Sequence, residues 1–317
     1  MMLNLIVLCL AAFAIVATTV SVMVWLALPW FNRIAARIDP RSSVHMWLGL
    51  AVLPAAIAIV AVVVSFLPIL GIGHDHCLVH GNHHPHLCIH HVTHAPGILL
   101  VFVAALLALR AMYLLARLFR DLYISLRTSA ELAEVCDHYP GALVFPAMEP
   151  QAFVIGALRP RVYLSRGLLA LGREVVEPVL AHEQVHTRKH DLLWRLLCPL
   201  VAIGHVPGVA SALSVRLATH QEMAADAEAA TTLANGRLRI AEALIKLAQL
   251  YRAPFPGISF VQGNIQARVH ALLEEHKTTS VWPAHILLVC ALAVTVTLGF
   301  SHDLVHHALE TVLGTLS

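Results

Sequence analysis

A histidine pair on one short segment offers the most specific chemistry in the chain. His182 and His186 belong to the pentapeptide His-Glu-Gln-Val-His, with Glu183 directly after the first histidine. Residues four apart share one face of a helix, so both imidazoles can bind one zinc ion. The glutamate can then act as general base on a water at the metal. Pro178 before the pair and the basic residues after it indicate a helix.

A second segment supplies the third ligand that a zinc hydrolase needs. Glu222 and Asp226 are four residues apart in a stretch rich in helix formers, residues 218–233. Glu222 would complete a site of two histidines and one glutamate, and Asp226 would hold a histidine through its other ring nitrogen. For the pentapeptide alone, two ordinary helix histidines remain the alternative. His190 is interpreted as a helix-end or substrate-side residue.

The composition is that of a membrane protein. Hydrophobic residues make up 58% of the 317 residues and charged residues only 13%, whereas soluble domains carry about 25% charged residues. The net charge of +2 leads us to expect no direct nucleic-acid binding. Because a membrane helix needs about 20 apolar residues, four spans are predicted, at about residues 3–30, 47–70, 96–116 and 281–300.

The distribution of basic residues predicts the orientation of these spans. Three arginines lie between the first two spans, and residues 42–109 contain no lysine or arginine. Basic residues return with Arg110 and continue to Lys277. Because basic loops stay in the cytoplasm, both termini are expected outside and the segment 118–280 inside. Arg110 either snorkels to the cytoplasmic surface or lies inside the bundle.

The predicted fold is an integral membrane α-helical protein with four transmembrane helices and a cytoplasmic α+β metalloprotease domain. The expected location is the cytoplasmic (inner) membrane of a bacterium, so the lipid bilayer is one partner and a protein substrate the other. In chain order, the predicted divisions are a three-helix membrane region at 1–117 with an external loop at 71–95, a protease domain at 118–280, a fourth membrane helix at 281–300 and an external tail at 301–317.

The external loop concentrates histidine. Imidazole and thiolate groups bind zinc, copper and nickel, so we expect the loop to bind, and to sense, a divalent metal. The alternative is a polar loop without metal, or one that responds to pH. Cys77 and Cys88 are either ligands or a disulfide pair. The candidate ligands are His74, His76, Cys77, His80, His83, His84, His86, Cys88, His90, His91 and His94.

The remaining segments indicate short elements around the zinc helix. Residues 129–165 are interpreted as a mixed segment in which Pro140-Gly141, Pro146 and Pro150 mark turns between short strands. Residues 236–250 and 264–276 are predicted as helices. Arg268 lies on one face of the second, which is interpreted as core or cleft wall without further chemistry.

Together these motifs resemble the BlaR/MecR-type membrane metallopeptidases. The likeness rests on His182-Glu183-x-x-His186, the following Arg188 and Asp191, Glu222-Met-Ala-Ala-Asp226, and the runs at 152–156 and 159–165. The resemblance implies a zincin-like gluzincin fold in which zinc is the catalytic cofactor. It also implies that an external stimulus triggers cleavage of a cytoplasmic DNA-binding repressor, and of the protease itself. An edge strand commonly receives the substrate in such folds; residues 162–164 are the candidate, and a plain core strand is the alternative.

Several functions stay open beside this one. The antibiotic sensors of that family continue into an external penicillin-binding domain, whereas this chain stops at Ser317, which puts direct β-lactam sensing in question. A quality-control protease resembling HtpX shares the zinc pattern, but its usual layout has two spans before the zinc helix and two after. A non-enzymatic metal receptor would not need Glu183. The sequence leaves the substrate open, and it leaves open whether the chain forms a homodimer.

Overall fold

The structure, a computed structural model, describes most of the chain. The described residues are 2–66, 96–250 and 265–274, with residues 308, 309, 311–313 and 315 near the C-terminus. Three predicted features lie wholly or mostly outside them: the histidine-rich loop, the fourth span and the external tail.

Three long apolar helices come first. They are α1 (Met2–Ala35), α2 (Pro40–Val64) and α3 (Ile98–Val135). Each contains an apolar window long enough to cross a membrane. The start of α2 is well defined, because the Asp39 side chain accepts a hydrogen bond from the backbone of Arg41 and Pro40 occupies the first turn. Each of the first three predicted spans therefore overlaps one of these helices, although α2 begins seven residues before the predicted second span and ends at Val64.

The membrane helices pack together over small side chains. Ala11 and Ala12 of α1 and Ala58 of α2 are fully buried, and small residues allow helix backbones to approach closely. A larger cluster joins α2 to a later helix and includes Trp47, Leu50, Leu213 and Leu217. The apolar bundle is thus continuous with the later helix, Pro207–Ala230, which also carries Glu222.

The third helix connects the bundle to the sheet that follows. The predicted span ends near residue 116, but α3 continues without a break to Val135. On this extension the Ser125 hydroxyl accepts a hydrogen bond from the backbone of Ala157 at 3.0 Å. The Ser129 carbonyl accepts one from the Tyr163 hydroxyl at 3.1 Å. The helix therefore ends against the sheet.

A small mixed sheet follows α3. Its strands are β1 (Asp137–Tyr139), β2 (Ala142–Phe145), β3 (Ala152–Ile155) and β4 (Arg161–Ser165). The spatial order is β1-β2-β4-β3, with β2 and β4 parallel and the two outer pairs antiparallel. Gly141 turns the chain between β1 and β2 with a φ of +82°, a conformation that glycine adopts without strain. The predicted short strands and turns are confirmed from Asp137 to Ser165, whereas residues 129–135 of the predicted segment belong to α3.

The prediction that residues 162–164 form an edge strand is wrong. They belong to β4, which lies between two other strands. Leu164 pairs with Val144 on one side and with Ala152 on the other. Tyr163 and Leu164 are fully buried. The parallel pairing of β2 and β4 brings this apolar strand into the middle of the sheet, and the edge next to β4 belongs to β3.

Six helices complete the described fold. They are α4 (Arg166–Leu169), α5 (Arg173–Lys189), α6 (Asp191–Val201), α7 (Pro207–Ala230), α8 (Gly236–Leu250) and α9 (Ile265–Leu273), and a short 3₁₀ turn at Ala202–Gly204 joins α6 to α7. The predicted helices at 236–250 and 264–276 correspond to α8 and α9. Helix α5 lies at the centre, because its apolar face packs on the sheet and on α8. The shared core includes Leu164, Leu168, Val179 and Leu244, all fully buried.

Arg110 is half-buried between α3 and the connection that joins α6 to α7. Its guanidinium donates a hydrogen bond to the backbone carbonyl of His205, in the connection between α6 and α7. Of the two placements that the sequence left open for this arginine, the contact with another segment of the protein favours the one inside the bundle, although the side chain is only partly buried. The contact gives the charge a polar partner, as a charged group among apolar helices requires.

Candidate metal centre

The zinc motif lies on the buried helix α5. The helix begins after Gly172 and ends at His190, whose φ of 53° places it in the left-handed conformation that commonly terminates helices. His190 is therefore a helix-end residue. His182, Glu183 and His186 lie on the buried face of α5, where they are 0%, 3% and 6% exposed. Their burial follows from the position of α5 between the sheet and α7.

Three side chains converge on one point. The Nε2 atoms of His182 and His186 are 3.0 Å apart. Glu222 reaches them from α7, with its Oε2 3.3 Å from the first nitrogen and its Oε1 3.5 Å from the second. The ligand atoms of all three residues lie within 4.8 Å of one another. Helices α5 and α7 thus bring together the three residues that the sequence predicts as metal ligands.

The outer nitrogen of each histidine faces a carboxylate. His182 Nδ1 lies 2.8 Å from Asp226 Oδ1, and His186 Nδ1 lies 2.6 Å from Asp191 Oδ2. A carboxylate in this position fixes the ring orientation and leaves the inner nitrogen free to bind metal. The sequence predicted the place of Asp226. The corresponding contact of Asp191 with His186 was missed, although Asp191 lies only two residues after the end of α5.

Two arginines bind the carboxylates of Asp226 and Glu222. Arg268 of α9 is 1% exposed and binds both oxygens of Asp226, at 2.6 and 2.7 Å. Its third nitrogen lies 3.3 Å from Glu222 Oε2. Arg195 of α6 donates to Glu222 Oε1 at 2.7 Å. Arg268 is thus buried, as expected for a core helix, but the expectation that this helix carries no further chemistry is wrong, because the charge of Arg268 is part of the site.

These neighbours decide the charge of the two acidic groups. Burial alone would raise the pKa of Glu222, but the histidines and Arg268 outweigh burial and hold that pKa well below its ordinary value. Burial likewise opposes ionisation of Asp226, and the ion pair with Arg268 lowers its pKa. Both carboxylates are therefore ionised, as a ligand and the partner of a ligand need to be.

Glu183 has the opposite tendency. Burial raises the pKa of its carboxyl group, and the attraction of the nearby histidines only partly offsets this. For His186, burial acts to lower the pKa, but Glu222 and the hydrogen bond with Asp191 raise it to about 10. Because a metal binds neutral imidazole, metal binding at neutral pH must displace this proton.

The donor set fits a divalent metal ion of intermediate softness. Two imidazole nitrogens and one carboxylate oxygen make up the ligand set of many catalytic zinc sites. Glu222 Oε2 is buried and makes no hydrogen bond of good geometry within the described residues. A buried carboxylate whose two oxygens each face one of two imidazole nitrogens is suited to share a metal with them.

We expect Asp191→Asn to weaken metal binding about 10- to 100-fold, the usual loss when the outer partner of a ligand is removed. The amide keeps the shape of Asp191 but removes the charge that orients His186. Affinity would be measured by competition with a chromophoric zinc chelator. Asp137→Asn is the control, because Asp137 is exposed and pairs only with surface Arg166 among the described contacts. Equal affinities for the two variants would contradict the role of Asp191.

The fold and the site together define a class. Three helices able to cross a membrane precede a buried cluster of two histidines and a glutamate, with a further glutamate beside the first histidine. These are the features of a membrane metallopeptidase. The family model described as BlaR1 peptidase M56 matches residues 5–272. The chain belongs to this peptidase family. No curated protein and no solved structure matches the chain significantly.

Proposed function

We propose that this membrane metallopeptidase is a zinc-dependent endopeptidase of the gluzincin type. The observation that carries the proposal is the convergence of His182, His186 and Glu222, with Glu183 next to them on the same helix. These three residues would hold the zinc ion. When bound, zinc supplies a Lewis acid that polarises the scissile carbonyl and lowers the pKa of the attacking water.

The protein residues around the site have separate roles in this proposal. Glu183 takes the proton of the attacking water and passes it to the leaving amine. A carboxyl group whose pKa burial has raised is suited to hold that proton between the two steps. Asp226 and Asp191 keep the two imidazoles oriented. Arg268 keeps Asp226 and Glu222 ionised in a buried place.

The burial of the site supports a regulated protease. None of the four residues at its centre is more than 6% exposed, so a polypeptide substrate requires an opening movement.

We place the site in the cytoplasm, because basic residues flank it and are missing from the segments predicted to lie outside. The expected substrate is a cytoplasmic DNA-binding repressor, cut after an external signal, and the protease can also cut itself.

A sheet edge next to the zinc helix is suited to receive the substrate. β3 (Ala152–Ile155) forms one edge of the sheet, and it has no strand partner on its outer side within the described part of the chain. It also packs against α5. An extended peptide can add to such an edge through main-chain hydrogen bonds, which bind it without demanding one sequence. In this proposal β3 takes the role first predicted for residues 162–164.

The helix count favours this signalling role over the quality-control protease. Three helices of membrane-spanning length precede α5, whereas the HtpX-type layout has two. A metal receptor without activity would tolerate Glu183→Gln. A protease would not, so this substitution separates the two functions.

The proposal can be tested in cells that produce the wild-type chain or Glu183→Gln. New protein termini would be mapped by mass spectrometry, with and without added zinc, copper or nickel. Fragments of a DNA-binding protein that need Glu183 are the expected result. If wild type and variant give identical termini in every condition, the signalling protease is wrong.

The external histidine-rich loop is proposed to provide the signal by binding a divalent metal. This part of the proposal rests on composition alone, since the loop lies outside the described residues. We expect a peptide of residues 71–95 to bind zinc, copper or nickel more tightly than a scrambled peptide with the same number of histidines but no cysteine. Isothermal titration calorimetry measures the difference, and equal affinities would remove the metal-sensing idea while leaving the protease intact.

A further inference from the structure

The α6–α7 hairpin has an unusually apolar surface. No Asp, Glu, Lys or Arg occurs between Arg195 and Arg216. Apolar side chains of the hairpin face outward: Trp194 is 40% exposed, Val206 40% and Val215 64%. In water such a surface would be unfavourable. Neither helix of the hairpin was predicted as a membrane span. Two prolines interrupt the uncharged stretch, and α6 has only 11 residues.

The tip of the hairpin packs against the middle of an apolar helix. A β-carbon added to Gly204 would lie 2.7 Å from the backbone nitrogen of Ala55 in α2, so the two backbones are in direct contact. Ala55 is 15 residues into α2, which corresponds to about 22 Å along the helix from Pro40. The hydrocarbon layer of a bilayer is about 30 Å thick. If α2 crosses the membrane, the tip lies deep within that layer.

Hydrogen bonds connect this tip to all three long helices. The ring of His205 is fully buried, with Nδ1 3.1 Å from the Ser21 hydroxyl of α1 and Nε2 2.9 Å from the Leu50 carbonyl of α2. The hydroxyl of Ser21 also accepts a hydrogen bond from the backbone of Val206. From α3, Arg110 donates to the His205 carbonyl. Polar groups that bond one another among apolar helices are typical of a membrane interior.

Helix α7 leads from this tip back to the metal centre. It runs antiparallel to α2, since its start lies near Ala55 whereas His220 Nδ1 lies 2.8 Å from the Ser43 hydroxyl. Glu222 is 15 residues beyond Pro207, or about 22 Å along the helix. The proposed metal ligand is therefore level with the first turn of α2, where a membrane-crossing helix leaves the hydrocarbon.

We propose that α6 and α7 form a re-entrant membrane hairpin. It enters the bilayer from the face at which the metal centre lies, reaches the middle of the hydrocarbon layer with His205 at its tip, and returns carrying Glu222. The partner of its outward surface is lipid hydrocarbon. One consequence is mechanical. A shift of any of the three long helices at Ser21, Leu50 or Arg110 displaces the first turn of α7, the helix that carries Glu222.

Spin labelling tests the hairpin directly. The six native cysteines are replaced by serine or alanine, and a nitroxide is attached to a single cysteine at Val206, Val215, Ile59 or Met148. The full chain is reconstituted in lipid nanodiscs of phosphatidylcholine and phosphatidylglycerol. Collision rates with oxygen, which concentrates in lipid, and with a water-soluble nickel chelate give the depth of each label. Ile59 is 54% exposed on α2 and Met148 is 80% exposed beyond β2, so they serve as membrane and water references.

The proposal predicts that the label at Val206 resembles the one at Ile59, with frequent oxygen collisions and rare chelate collisions. The label at Val215 should be shallower than the one at Val206. If the chelate reaches Val206 as often as Met148 while Ile59 stays protected, the re-entrant hairpin is wrong, but the membrane placement of α2 still holds. Protection from both reagents at Val206 and Val215 would also overturn it, because it would show a surface covered by protein. Chelate access at Ile59 as well would refute the membrane placement of α2 on which the hairpin depends.

Discussion

Glu183→Gln is expected to lower the rate of protein cleavage by about 100- to 10,000-fold, the usual contribution of a general base, while zinc stays bound. The amide cannot accept the proton of the attacking water, but it has the size of the carboxylate and is not one of the three converging ligands. Initial rates would be measured on detergent-solubilised chain with casein as an unfolded substrate, together with self-cleavage. Zinc content would be measured by atomic emission.

The matched control for this prediction is Glu174→Gln. Glu174 lies on the same helix, in its exposed first turn, so the substitution makes the same chemical change far from the metal centre. It should leave both cleavage and zinc content unchanged. A Glu183→Gln variant that keeps wild-type activity would show that Glu183 is not the base.

Arg268→Met is expected to destabilise the fold by about 3–5 kcal/mol, the loss observed when one partner of a buried ion pair is removed. Arg268 is 1% exposed and contacts two buried carboxylates. Methionine would leave Asp226 without its arginine and Glu222 with Arg195 as its one arginine partner among the described contacts. The reduction in stability would be measured by denaturant unfolding of metal-free chain in detergent, so that zinc loss does not add to the effect.

Two further variants decide whether the effect arises from charge. Arg239→Met removes an arginine that pairs with Glu177 at a partly exposed place, where an ion pair contributes only about 0–1 kcal/mol. Combining Arg268→Met with Asp226→Asn removes the unpaired carboxylate as well. The double variant should be more stable than Arg268→Met alone. If it is less stable by the full sum of both single losses, Arg268 acts through packing and not through charge.

Local spacing was sufficient to predict the central residues of the site. His182 and His186, and likewise Glu222 and Asp226, are each four residues apart, and helical geometry alone places such residues on one face. The three apolar helices were also predictable, because lipid requires long uninterrupted apolar segments. Their ends were not, since α3 continues to Val135 in a polar segment that hydropathy does not distinguish from the start of a separate domain.

The contributions from distant parts of the chain were not predictable. Arg268 reaches Asp226 across 42 positions, and no local pattern marks that approach. The place of β4 in the sheet depends on its parallel pairing with β2, which is a long-range contact. Asp191 is the exception, since an acidic residue two positions after the end of α5 could have suggested a partner for His186. The α6–α7 hairpin was not predicted because α6 has only 11 residues and the second half of α7 is charged.

X-ray absorption at the zinc edge tests the central claim most directly. The full chain would be purified in detergent, loaded with one equivalent of zinc and compared with His186→Ala and Glu222→Ala. The proposed site predicts two imidazole ligands with the remaining ligands oxygen, one imidazole fewer in the first variant and a changed oxygen shell in the second. A spectrum with sulfur ligands, or one that neither substitution alters, would show that zinc binds elsewhere and would contradict the assignment of the metal centre.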